Sequence, residues 1–350
     1  MMEDANPVLV EVTRGGRVES RHRGAVAVAG PAGRLVAAWG DVAAPVFPRS
    51  ALKPVQALPL AASGALAASG LGDAELALAT ASHTGRPEHT ERVAAWLARL
   101  GLSPADLECG AHPPTDPDAA RALAAAGDAA SPLHNNCSGK HAGFLTLARA
   151  LGCPTAGYIR PDHPVQVRVS AAIAALAGCD LASAPCGIDG CGIPVFGLPL
   201  AGLATAMARL AAPAGLPEAW RGAAERVVAA MQAHPDLVAG PGRMATEVMR
   251  RVPDLVLKGG AEGVFTAILP GSGLGVAVKI DDGAGRAAEV AVLAVLLRLG
   301  RLPPAGQPEL AAYTRPPVLN AAGRPAGEIR AVLPKVEGGA LALGADCLSG

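Results

Sequence analysis

Apolar and polar positions change their period once, near Ser50, and change back near Leu255. Val8–Val12, Gly24–Ala29 and Leu35–Trp39 are apolar or alternating, and Gly-Gly and Gly-Pro-Ala-Gly turns separate them. That pattern predicts an antiparallel meander. From Ser50 the spacing becomes helical. It predicts helices over Ala51–Ala68, Asp73–Ala81, Pro87–Leu100, Pro117–Ala126, Gly139–Leu151, Pro164–Leu176, Ala201–Leu210 and Pro217–Ala233. Strand character returns at Leu255–Leu257, Val264–Leu269 and Gly275–Ile280. A helix over Arg286–Leu299 follows, with Gly300 as its stop. Strands, a helical block, then strands and a helix predict an α+β fold, an antiparallel sheet flanked by helices. The expected organisation is one catalytic unit over residues 1–333, with the sheet drawn from both ends and the helical region at roughly 51–250. Residues 334–350 read as a Gly-rich tail, expected to be disordered.

Composition narrows the function. The chain has 350 residues, and 30 basic residues balance 30 acidic ones. With 3% aromatic residues it offers neither a basic stripe nor a stacking ladder, which argues against nucleic acid as a partner. The longest uncharged stretches, Pro54–Gly72 and Gly190–Ala208, are broken by Pro and Gly. They read as buried segments with turns, so no membrane partner is expected. Met1-Met2-Glu3-Asp4 lacks a basic and an apolar leader region, and seven cysteines is an odd number. Both fit reduced thiols in a cytoplasm. No G-x-G-x-x-G opens a helix after a strand, which disfavours a dinucleotide enzyme.

Only five of the 30 basic residues are lysines: Lys53, Lys140, Lys258, Lys279 and Lys335. Three of them fall in dense polar strings. In Arg49-Ser50-Ala51-Leu52-Lys53-Pro54, serine and lysine are spaced i, i+3 and project from one face of a first helical turn. A lysine of lowered pKa can take the proton of such a serine; the structural alternative is an N-cap serine and a solvated lysine. Thr80-Ala81-Ser82-His83-Thr84-Gly85 sits at a helix end, where hydroxyls ordinarily cap or turn. In His134-Asn135-Asn136-Cys137-Ser138-Gly139-Lys140-His141, the Asn and Ser residues can cap the next helix, and Cys137 and Lys140 are again i, i+3. The string suits half a metal site or a reactive thiol, or simply a buried thiol before a capped helix. Cys186-Gly187-Ile188-Asp189-Gly190-Cys191 reads as a Gly-rich turn holding Asp189 between two thiols. Lys258-Gly259-Gly260 ends a strand where glycines let a ligand approach the backbone.

Serine with S-x-x-K, a second serine, and a Lys-Gly-Gly strand, in that order, resemble the serine β-lactamases and penicillin-binding proteins. Ser82-His83-Thr84 stands in for S-x-N, and Gly259 for the Thr of K-T-G. The strings at 49–59, 135–141, 186–192 and 258–263 bear a closer resemblance to the bacterial L-asparaginase II family of the Rhizobium etli type, over roughly residues 8–332. That resemblance implies a serine β-lactamase-like fold, hydrolysis of L-asparagine and a homodimer. It implies Ser/Lys pairs Ser50 with Lys53 and Ser82 with Lys258, substrate contacts at Arg49, His141 and Asp189, and zinc on Cys137, Lys140 and Cys191 with a water. Two rival functions remain: a β-lactamase or D,D-peptidase sharing the S-x-x-K logic, and a non-enzymatic zinc-thiolate protein.

Overall fold

The computed structural model describes residues 6–303 and 308–335. The tail beyond residue 335, expected to be disordered, lies outside the described residues. Two units divide the chain: one built from 1–51, 198–212 and 257–350, the other from 52–197 and 213–256.

The first unit carries an eight-stranded sheet. Its order is Pro317–Leu319, Pro325–Ala331, Val8–Arg14, Arg17–Ala29, Leu274–Ile280, Val264–Leu269, Val256–Gly259, and Leu35–Trp39 pairs with Arg17–Ala29 off this path. The registered pairs are antiparallel, Ala27 facing both Ala277 and Ala38. Strand Arg17–Ala29 alternates in exposure over its first half and is buried at six successive positions at its end. Burial on both faces needs cover on both faces, and the helices Leu200–Ala211 and Gly285–Arg298 supply packing on this sheet. The first of these lies so close that a Cβ at Gly275 would collide with the backbone of Ala204 and Ala208. Apolar periodicity located the central strands. The pair Pro317–Leu319 and Pro325–Ala331 and the first half of Arg17–Ala29 went unpredicted because these partly exposed segments, one of them only three residues long, lack a continuous apolar face.

The second unit is helical, with a small hairpin of Cys186–Ile188 against Pro194–Phe196. Its centre is the helix Ser138–Ala150, buried at every position from Ser138 to Ala148. A helix enclosed on all sides needs no amphipathic stripe. It packs against Asp73–Ala79, Pro87–Arg99, Leu58–Ala62 and Pro164–Ala177. The expected single helix Ala51–Ala68 is instead a 3₁₀ turn, Arg49–Leu52, and three short helices, Lys53–Gln56, Leu58–Ala62 and Ala65–Ala68. Pro54 and Pro59 lack the N–H that would continue the ladder, and Gly64 turns left-handed at φ 69°. The helix Met244–Arg251 is an addition that the sequence pattern did not predict. Among the described residues no helix is long and apolar enough to cross a membrane.

Candidate active site

In the first unit, Arg49 and Ser50 open the 3₁₀ turn Arg49–Leu52. Arg49 is left-handed at φ 49°, a strained conformation for a residue with a side chain. The turn rests on the Lys258 strand. A Cβ added at Gly260 would stand 2.7 Å from Pro48 O and 3.0 Å from Ala51 N, so glycine alone permits the approach. The Thr266 hydroxyl lies 3.2 Å from both Ala51 O and Lys258 O, joining the serine turn to the lysine strand. Lys258 is buried, and its ammonium donates to Gly259 O at 2.8 Å.

In the second unit, Lys53 is wholly buried. Its Nζ donates to Ala81 O, reaches Ser82 Oγ at 3.1 Å and lies 3.5 Å from Asn136 O. Burial lowers its pKa; the Cys137 sulfur opposes this and the neighbouring ammonium of Lys140 adds to it, leaving the pKa lowered. Two carbonyls, one hydroxyl and the Cys137 sulfur surround the amine, which donates to the carbonyls and to Ser82 Oγ.

Cys137, Lys140 and Cys191 converge beside it. Lys140 Nζ donates to Cys191 Sγ at 3.0 Å, and Cys191 donates to Cys137. The hydrogen bond from Cys191 holds Cys137 far below the ordinary thiol range, with Lys140 and Lys53 adding to it. The same bond raises Cys191. Burial opposes the charge on Lys140, but the two sulfurs outweigh it and raise its pKa. Asp189 Oδ2 lies 3.8 Å from Cys191 Sγ. Among the described residues no three His, Cys, Asp or Glu groups are placed to hold a metal. The donor set fits zinc only with lysine as third ligand: one thiol poised as thiolate, a second that must give up its proton, and one amine, all buried, with Cys191 in contact with both of the others.

Two histidines frame this centre. His83 is buried; Gly85 N–H donates to its Nδ1 at 3.1 Å, and its Nε2 lies 2.8 Å from Ser138 Oγ, whose hydroxyl donates to Leu133 O. These partners assign the neutral Nε2–H tautomer. His141 is buried against Tyr158, with Nδ1 2.6 Å from the phenol oxygen. Asn135, expected as a cap, instead accepts the Cys137 N–H at 2.9 Å and donates to Cys109 O at 2.8 Å, fixing the turn that carries the thiol.

The first unit thus brings together Arg49, Ser50 and Lys258; the second brings together Lys53, Ser82, Cys137, Lys140, His141, Asp189 and Cys191. Sequence reasoning missed Thr266 and Tyr158. Thr266 is the lone hydroxyl in the apolar strand Val264–Leu269, and Tyr158 is one of two tyrosines in the chain. Each was a signal of the kind that singled out the lysines.

A family model described as L-asparaginase II matches residues 10–331. Among solved structures, a β-lactamase from Mycobacterium bovis matches with 15% identity and a TM-score of 0.40, over 78% of this chain and 94% of that one. None of the curated proteins matches the chain.

Proposed function

The chain belongs to the L-asparaginase II family, and on that premise we propose that it hydrolyses L-asparagine to L-aspartate and ammonia through a serine acyl-enzyme. The observation that carries the mechanism is Lys53, buried, lowered in pKa and bonded at 3.1 Å to a serine hydroxyl. A desolvated amine of this kind is a base that can take a serine proton near neutral pH.

In this reading Ser50 attacks the side-chain amide with Lys53, one helical turn on in the chain, as base. The strained Arg49 linkage presents the serine, and N–H groups at the start of its turn stabilise the oxyanion. Ser82 and Lys258 relay protons or position the nucleophile. Ammonia leaves, and water releases aspartate. Arg49, His141 and Asp189 contact the substrate. Cys137, Lys140 and Cys191 would hold zinc, whose charge would orient the α-amino and α-carboxylate groups. A second reading exchanges the serines, with Ser82 as nucleophile; the 3.1 Å bond from Lys53 favours it.

The same proposal places the protein in the cytoplasm as a homodimer, tested by cell fractionation and native mass. The function itself is tested by ammonia release from L-asparagine and L-glutamine beside hydrolysis of a chromogenic cephalosporin, with and without a chelator. Cleavage of L-asparagine alone is expected. Cephalosporin turnover in its place would move the protein to the β-lactamase reading, and metal binding without any turnover to the zinc-thiolate one.

A further inference from the structure

His141 follows Lys140 in the central helix and is 0% exposed. Its Nδ1 lies 2.6 Å from Tyr158 Oη. The Glu108 backbone N–H donates to the same oxygen at 2.8 Å. The phenol thus accepts one hydrogen bond, and the ring nitrogen is its only other hydrogen-bond partner among the described residues, so its O–H points there. Nδ1 is then the bare nitrogen, and the ring proton sits on Nε2. Tyr158 is itself wholly buried, its carbonyl held by Gln166 Nε2 at 3.0 Å, and its ring stands edge-on to the imidazole at 5.4 Å. The pair is thereby held in one geometry.

Nε2 of His141 is buried without a hydrogen-bond partner among the described residues. Buried donors are nearly always satisfied, and each orphan calls for an explanation. A ligand that brings its own acceptor is one. Lys140 and Lys53 both lie within electrostatic reach of the ring, so an acceptor at the N–H sits in the field of two basic groups. That surrounding suits an anionic oxygen.

We propose that Tyr158 is a positioning residue that fixes His141 as the Nε2–H tautomer, so that the histidine donates to a carboxylate oxygen of the bound amino acid. The identity of that ligand rests on the asparaginase reading; the tautomer does not. The phenol acts through the histidine and does not touch the substrate.

Nitrogen-15 spectra of the full chain, with His141 assigned against His141→Gln, are expected to show Nε2 protonated and Nδ1 bare. Addition of L-aspartate is expected to shift Nε2. Tyr158→Phe is expected to lose the single tautomer and to raise KM for L-asparagine about tenfold, the worth of one hydrogen bond to a charged acceptor, with kcat changed less. His141→Gln, whose amide N–H can reach the same acceptor, is expected to retain a lower KM than His141→Leu. A protonated Nδ1 in the wild type, an Nε2 indifferent to L-aspartate, or a Tyr158→Phe protein with unchanged tautomer and KM would overturn the proposal. Should Tyr158→Phe fail to fold, the wild-type spectra decide. A wild type that turns over no L-asparagine removes the asparaginase reading, whereas the ring spectrum speaks to the tautomer alone.

Discussion

Lys53 Nζ stands 3.1 Å from the hydroxyl of Ser82, so the lysine of the S-x-x-K string is hydrogen-bonded to the second serine of the set. Its remaining contacts are the carbonyl oxygens of Ala81 and Asn136 and the sulfur of Cys137. Burial favours the neutral amine and outweighs the Cys137 sulfur, which favours the charged one.

The two serines are separable by variant and by adduct. With Ser50 as nucleophile, quenched turnover followed by peptide mass analysis is expected to find the acyl group on Ser50. Ser50→Ala is then expected to abolish the adduct. Ser82→Ala is expected to slow acylation by about 100-fold, the scale of one lost proton-transfer partner. An adduct on Ser82 would exchange the roles. Lys53→Arg keeps the charge but cannot surrender a proton, so it is expected to behave like Ser82→Ala or worse. Lys335→Arg, at an exposed position, is expected to be silent. Lys279 caps the Glu262 and Ile280 carbonyls at 2.6 and 2.7 Å, so Lys279→Arg is expected to change stability by under about 1 kcal/mol without changing activity.

Thr266 ties the serine turn to the Lys258 strand from a fully buried position. Thr266→Val keeps the shape and removes the hydroxyl. Carbonyls at Ala51 and Lys258 lose a donor, an expected cost of about 1–3 kcal/mol in urea unfolding. The turn that carries Ser50 also loses its link to the Lys258 strand. The kcat is therefore expected to fall about tenfold while KM for L-asparagine stays near its original value, because a misplaced nucleophile harms the reacting geometry more than binding. Equal loss in a distant cavity-forming variant of matched stability would reduce Thr266 to a packing residue.

Stability should weaken in mild acid because of His83. Burial, reinforced by the neighbouring basic groups of His89 and Lys53, sets its folded pKa well below the unfolded value of 6.5. The unfolded chain therefore takes up the proton first. Stability is fully present above about pH 6.5 and declines as pH falls from there towards the folded pKa. The tautomer leaves no room for a second ring proton, since Gly85 N–H already occupies Nδ1. Urea midpoints at pH 8, 6.5 and 5 are expected to fall in that order. In His83→Gln, which can keep the donor to Ser138, the decline should be shallower. A midpoint independent of pH across this range would contradict the assigned network.

The legible part of this site was written in scarce residues. Lysine is so rare in this chain that Lys53, Lys140 and Lys258 stood out before any geometry, and all three are buried. Central strands were legible because Val264–Leu269 and Gly275–Ile280 are continuous apolar runs. The short helices after Ser50 were not, because apolar spacing ran on through Pro54 and Pro59 while the backbone ladder did not. Which amine meets which hydroxyl was also out of reach. The i, i+3 spacing joined Lys53 to Ser50, whereas its bond to Ser82 spans 28 intervening positions and depends on how the helix Asp73–Ala79 ends. Thr266 and Tyr158 act through long-range contacts that no local pattern encodes.

The thiol–amine cluster makes a separate prediction about metal. Cys191 keeps the proton that it donates to the Cys137 sulfur, and Lys140 stands 3.0 Å from Cys191. A divalent ion entering there would displace that proton and one from the ammonium, so zinc binding is expected to release protons and to tighten as pH rises. Cobalt(II) offers a readout free of activity, since thiolate ligands give it charge-transfer absorption in the near ultraviolet. The wild type is expected to show that band and to lose it to added zinc. Cys137→Ser and Cys191→Ser should each weaken it. Lys140→Arg should prevent binding although its charge is kept, because guanidinium has no lone pair to offer. If cobalt binds equally well to the Lys140→Arg protein, the lysine is not a ligand. The cluster would then be a thiolate–ammonium pair whose role is to set the charge around Lys53.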